Sequence, residues 1–273
     1  MSTAQTAAQE QGTQRSAWIG LAALMLPVLT VAVTTTTLSF ALPDIGADLR
    51  PTGTQLLWIV DIYPLILAGL LIPMGTVGDH IGRRRLLMIG AVGFALSSVA
   101  GGLSTSPEML IASRVAVAIF GSMLLPATLS LIRVLFPSDA SRRIAIAVWT
   151  AGFSAGAALG PIIGGGLLTW FSWHAAILAP VPFCLLFAVL APLVLPESRD
   201  PNPGKLDLIS AALAILTMTP IVYGIKTAAT AGSLLTAVVT MLVGLAFGTL
   251  FVLRQRRLSH PMLELGLFRS GRF

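Results

Sequence analysis

The chain has 273 residues, of which 55% are hydrophobic and only 10% charged, with a formal net charge of +6. Soluble domains carry roughly 25% charged residues, so this composition can neither clothe a water-facing surface nor fold its apolar side chains into one core, and a soluble protein is excluded. The single cysteine, Cys184, rules out an intrachain disulfide framework and reads as a small hydrophobe within an apolar run.

Residues 1–16, polar and rich in Ala, Gln and Thr, are expected to form a disordered tail. Eight apolar runs follow, each long enough to cross about 30 Å of hydrocarbon, which takes ~20 helical residues. Their approximate limits are 17–43, 55–77, 86–104, 108–135, 144–169, 174–195, 206–225 and 233–253. The expected fold class is therefore an all-α polytopic membrane protein. The first run exceeds the ~7–15 residues of a signal-peptide core and leads directly into further spans, so it is retained. Residues 196–205 combine prolines, a glycine and charges and read as a linker. The chain thus divides into the tail, a six-span lobe over 17–195, the linker, two additional spans over 206–253 and a basic tail over 254–273.

Orientation follows from the basic residues. Arg15, Arg83, Arg84, Arg85, Arg133, Arg142, Arg143, Arg199, Lys205, Arg254, Arg256, Arg257, Arg269 and Arg272 fall on one side of the expected spans. Arg50 and Lys226 fall on the other, and Arg114 lies within a span. The positive-inside rule places the first set, and with it both termini, on the cytoplasmic face of the cell membrane. Spread over several loops, these residues form no basic patch of the kind that binds nucleic acid.

Between spans two and three lies Gly75-Thr-Val-Gly-Asp79-His-Ile-Gly82-Arg83-Arg84-Arg85. An aspartate, a glycine and three arginines suit a cytoplasmic turn where two helix ends lock and unlock. Within span two, Asp61 follows Trp58-Ile-Val and precedes Ile-Tyr63-Pro64; Arg114 sits in span four. A charge costs roughly 2.5–3.5 kcal/mol at the bilayer centre, so such residues face a cavity or one another. Asp61 reads either as a cation or proton site or as a helix-end residue reaching interfacial water. Arg114 reads either as half of a structural ion pair or as a group tuning the carboxylate.

Span five carries Gly152, Gly156, Gly160 and Gly164 at four-residue spacing, beside Pro161 and Gly165. The stripe permits close backbone approach, either as ordinary small-residue packing or as a hinged helix at a sliding interface. Gly152-Phe-Ser154-Ala-Gly156 matches a nucleophile elbow in letters only, because it lacks the strand-turn-helix setting, and no enzyme activity is expected. His80, His174 and His260 lie in different loops without metal-ligand spacing, no phosphate-binding loop is present, and neither metal nor cofactor is expected.

At these residues the chain resembles the major facilitator superfamily, in particular its fourteen-span drug:proton antiporters, which export quaternary ammonium compounds and other lipophilic cations. The resemblance runs from about residue 17 to the end. The family's loop motif matches Gly75, Asp79, Gly82, Arg83 and Arg84, and its span-five antiporter motif matches Gly156, Gly160, Pro161, Gly164 and Gly165. Its span-four arginine matches Arg114, and its span-two aspartate matches Asp61. The resemblance implies two lobes rocking about a midplane site, each lobe an inverted pair of three-helix repeats. It also implies proton-driven export of a small lipophilic or cationic substrate, with Asp61 as cation or proton site and Arg114 as its electrostatic partner. Asp79 and the arginines become a cytoplasmic latch, and the span-five glycines a sliding face.

The chain departs from the family pattern in three places. Where an aspartate and an asparagine would precede Ala41-Leu42-Pro43, it has Thr34-Thr-Thr-Thr37 and Ser39. After Arg114, the usual glutamine and glycine are Val117 and Ala118. Fourteen spans are implied and eight are present, which leaves the second lobe absent. The leading reading is an exporter that works with a separate C-terminal lobe, with the expectation that this chain alone exports nothing. Its rivals are a truncated lobe or assembly partner that inserts in the bilayer without transporting, and a self-complete half transporter working as a parallel homodimer.

Overall fold

The computed structural model describes residues 3–201, 203, 207–229 and 233–258, with side chains from Gln14 onward. Lys205, His260, Arg269 and Arg272, and the expected tail beyond Leu258, lie outside the described residues. Among those described there are only helices: α1 Thr3–Leu49, α2 Gly53–Ile81, α3 Arg83–Gly102, α4 Pro107–Leu135, α5 Asp139–Trp170, α6 Trp173–Leu178, α7 Val181–Val194, α8 Leu208–Ala229 and α9 Leu234–Arg257. They provide eight segments long and apolar enough to cross a membrane.

Two local expectations change. Helix α1 begins at Thr3, inside the stretch expected to be a disordered tail over 1–16, because its Ala, Gln and Glu residues are good helix formers and extend the helix of the first span. The sixth span, expected as one helix over 174–195, is broken into α6 and α7 at Ala179-Pro180. Pro180 and Pro182 each lack an N–H, and two such gaps two residues apart interrupt the ladder where the more widely spaced prolines of the other spans do not.

Helix starts are set by polar caps, which satisfy N–H groups that the helix itself leaves open. Thr52 and Gln55 form a reciprocal capping box at α2, with bonds of 2.8 and 3.3 Å. Ser106 accepts from Met109 N–H at 3.2 Å, Ser138 from Ser141 at 3.3 Å and Ser233 from Thr236 at 3.4 Å. Behind these ends, Tyr63, Phe94 and Phe187 are fully buried with Leu24, Leu86 and Leu124 in a core shared by α1, α2, α3, α4 and α7. Helices α8 and α9 form an antiparallel pair that meets the six-span lobe through α8 on α2. A side chain at Gly69 would run into Ile215, so the α2–α8 contact depends on that glycine.

The span-five glycines pack inside the lobe, against α1. A Cβ on Gly156 would lie 2.8 Å from that of Ala32, and one on Gly160 would collide with Thr36 Oγ1 and sit 3.2 Å from the Val33 carbonyl. Thr36 Oγ1 donates to the Ala157 carbonyl at 3.0 Å and Thr37 Oγ1 to that of Gly160 at 3.2 Å. The expected sliding face toward a second lobe is thus corrected: Gly156, Gly160 and Gly164 are buried against α1, while Gly165 faces open space. Interhelical hydrogen bonds in lipid contribute only about 0.6 kcal/mol each on average, so close backbone packing carries most of this seam.

At the start of α8, Asp207 accepts from Ser210 N–H at 3.0 Å and from Arg254 Nη2 of α9 at 2.9 Å. Burial pushes the Asp207 carboxyl up, but hydrogen bonds from Ser210 and Arg254 outweigh it and hold the group below its ordinary value.

Two outcomes follow from this packing. Gly160→Ala should destabilise the lobe by about 1–3 kcal/mol, as over-packing does, whereas Gly165→Ala should stay within about 0.5 kcal/mol of the parent in unfolding assays in micelles. Because the Asp207 pKa is depressed by folding, its contribution is present above the unfolded-state pKa and lost as pH falls through the folded one. Amide protection factors at the start of α8 should therefore drop on acidification below the usual carboxylate range, and Asp207→Asn should remove that dependence.

Candidate functional site

Helix α2 presents two different faces near its N-terminal end. Trp58, Asp61 and Leu65, at helical spacing, look toward α8 and line a small pocket with Thr219, Val222, Tyr223 and Lys226. Asp61 Oδ2 pairs with the Lys226 ammonium, and the Trp58 and Tyr223 rings lie parallel, 6.0 Å apart at 6°. The Asp61 side chain is 17% exposed and that of Lys226 35%.

Ile59 and Tyr63 occupy the other face and meet α4. Arg114, 4% exposed, lies over the Tyr63 ring at 4.6 Å, and its Nε donates to the Ile59 carbonyl at 3.3 Å. A guanidinium over an aromatic face is attracted by the ring quadrupole, which gives this buried charge a partner. Arg114 also lines a small cavity with Thr34, Thr37, Ser98 and Ser113. The Thr34-Thr-Thr-Thr37 run therefore supplies neutral hydroxyls where the family pattern has ionisable and amide groups.

The expected pairing of Arg114 with Asp61 does not form. Asp61 is two residues from both Ile59 and Tyr63, about 200° around a helix with 3.6 residues per turn, so it points away from α4 when they point toward it. Its partner, Lys226, lies in the last turn of α8, where sequence reasoning saw only a residue outside a span. A signal was available: Trp58-x-x-Asp61 and Tyr223-x-x-Lys226 place an aromatic ring and a charge at the same spacing, with opposite sign.

The turn between α2 and α3 holds the loop motif. Asp79 Oδ1 accepts from Arg83 Nη2 at 2.9 Å and from its Nε at 3.2 Å. Gly82 has φ +108°, in the left-handed region that disfavours a side chain, and a Cβ there would lie 2.5 Å from Glu197 Oε1. Glu197 sits at the N-terminus of α3, accepts from Arg84 N–H at 3.2 Å and lies 3.8 and 3.7 Å from the Nε atoms of Arg84 and Arg85. A carboxylate at that end is favoured by the open N–H groups and the helix dipole. The strand of linker around it is pinned by Arg83 N–H to the Ser198 carbonyl at 2.9 Å, Asp200 N–H to that of Asp79 at 3.2 Å, and Arg84 Nη1 to that of Leu195 at 2.9 Å. Sequence reasoning placed Glu197 in a linker and missed it; an acid just after the sixth span, on the same expected side as three arginines, was the available clue. Gly75 makes only an ordinary contact with Pro126, and Pro161 lies within α5 beside the seam with α1.

Comparison with known proteins places this geometry. The family model of the Major Facilitator Superfamily matches residues 24–271. The multidrug efflux pump LfrA of Mycolicibacterium smegmatis is 51% identical over 257 residues, which cover 94% of this chain and 51% of LfrA. The methyl viologen resistance protein SmvA of Salmonella typhimurium is 39% identical over 252 residues, covering 92% and 51%. The tetracenomycin C resistance and export protein of Streptomyces glaucescens is 35% identical, covering 95% and 48%. The chain spans about half the length of these curated relatives. Among solved structures, the peptide transporter POT in complex with sulfate matches with a TM-score of 0.63 at 17% identity, over 88% of this chain and 53% of that one, a likeness of fold. A match over nearly the whole sequence, on a bundle of eight membrane-length helices, leaves one conclusion: the chain belongs to the Major Facilitator Superfamily of multi-pass membrane transporters.

Proposed function

We propose that this chain is the N-terminal part of a proton-driven exporter of lipophilic or cationic compounds in the cell membrane, with both termini cytoplasmic. The observation that carries the reading is the 51% identity to a multidrug efflux pump along 94% of the chain. It is supported by a carboxylate held inside an apolar, aromatic-walled pocket, a setting in which a cation or a proton is the natural counter-charge. In this reading Asp61 is the cation or proton site, and Arg114 raises the positive potential of the neighbouring cavity from the opposite face of α2. A C-terminal lobe, on the same or another polypeptide, supplies the facing wall of the pathway. The turn at Asp79 and Gly82, with Glu197 seated on it, is the cytoplasmic latch; Arg83 and Arg84 are its ties. The glycine seam of α5 holds the lobe rigid while the latch opens.

Two experiments test the reading in an efflux-deficient host expressing the protein from its own gene. Asp61→Asn should lower export of a cationic dye such as ethidium by about tenfold or more, equivalent to about 1.4 kcal/mol in barrier, and spare a neutral dye. Equal loss of both would make Asp61 a structural residue. Asp79→Asn and Glu197→Gln should each leave membrane abundance unchanged and increase labelling of a cysteine placed at Ser198. They should also cut export, since each removes charge-assisted hydrogen bonds contributing about 1.5–3 kcal/mol. Unchanged labelling with full export would remove the latch.

A further inference from the structure

We infer that Lys226 is a tethered competitor for substrate: its ammonium occupies, on Asp61, the place of an organic cation, and a lipophilic cation binds the α2–α8 pocket by displacing it. This deepens the proposed function and rests on its reading of Asp61 as a cation site.

The walls of the pocket suit such a ligand better than they suit a lysine. Trp58 and Tyr223 present aromatic faces, which attract cations, and Leu65 and Val222 add apolar surface. Thr219 Oγ1 is buried beside them without a hydrogen-bond partner among the described residues, a polar atom that the present occupant does not use. A lysine ammonium is a compact, strongly hydrated charge that must give up hydration to sit against aromatic and aliphatic walls, whereas a delocalised organic cation gives up less and gains from both.

Size and charge require an exchange and exclude simple addition. The free space in the pocket, about 10 Å³, is no more than a single water needs and far below the roughly 300–1,000 Å³ that hold drug-sized ligands. Room appears when the four-carbon stem of Lys226 swings out. From the last turn of α8 the stem can carry its ammonium to the membrane surface, as long basic side chains near helix ends do. A second cation placed beside an intact Asp61–Lys226 pair would leave one positive charge unbalanced in a medium of low dielectric constant, while substitution keeps the pocket neutral. The same exchange removes the ion pair between α8 and α2 and leaves the Trp58–Tyr223 stack and the packing of Ile215 over Gly69 to hold the two helices together.

The test uses the 273-residue chain in nanodiscs of zwitterionic lipid, with tetraphenylphosphonium as the probe and empty nanodiscs as the blank. Removing a tethered competitor at millimolar effective concentration should tighten binding by about tenfold or more in Lys226→Gln. Lys226→Arg should stay within about twofold of the parent, and the double variant Asp61→Asn, Lys226→Gln should lose the gain. A second readout needs no variant: the probe should speed acetylation of Lys226 by acetic anhydride, with Lys205, the chain's other lysine, as internal reference. Unchanged or weaker binding by Lys226→Gln, or slower acetylation of Lys226 with probe bound, overturns the competitor. If Asp61→Asn alone still weakens binding in that case, the cation site survives. If neither Asp61 nor Lys226 affects binding, the cation site falls with it.

Discussion

Two residues along an α-helix amount to about 200° of rotation, and that angle governs how α2 distributes charge. Ile59 and Tyr63 turn toward α4 and receive Arg114; Trp58 and Asp61 turn toward α8 and receive Lys226. Neither charge meets the other, although both lie in the same stretch of the bundle. The guanidinium is held by a ring face and a backbone carbonyl, the carboxylate by an ammonium from outside the six-span lobe. A bilayer offers no water to either, so each had to be answered by protein, and helical geometry assigned the partners.

At the opposite end of α2 the controlling element is a glycine. Only a residue without a Cβ can take the φ of Gly82 and leave space for a carboxylate against the start of α3. Glu197 uses that space; the chain after it is stitched to the turn by backbone hydrogen bonds, and Leu195 before it accepts from the Arg84 side chain. The linker after the sixth span therefore belongs to the lobe over residues 195–200, and the added pair α8–α9 begins beyond it, held at its own start by Asp207, Ser210 and Arg254. The added pair is thus fastened to itself at one end and to Asp61 near the other.

The eight spans were readable from hydropathy because lipid leaves helices few alternatives. The turn motif was readable because its residue types have few other uses together. What could not be read was the identity of partners across the bundle. The four-residue glycine spacing reveals a stripe but carries no information on which helix fills it, and α1 filled it. Asp61 and Lys226 are 165 positions apart. Their complementarity shows only once the aromatic residue three positions before each is set beside its counterpart. The break at Pro180 was hidden for another reason: hydropathy averages over the residues that interrupt a hydrogen-bond ladder.

The two threonine bonds across the α1–α5 seam set a register as well as a distance. Thr36 and Thr37 each reach a particular carbonyl of α5, and Ala32 and Thr36 fill the hollows left by Gly156 and Gly160. Sliding α1 by one residue would bring a Cβ against backbone at every turn and strip both hydroxyls of their acceptors. The two helices therefore translate and tilt as a single plank. Any deformation of the lobe has to be absorbed outside this seam, leaving the ruler along α1 and α5 unchanged.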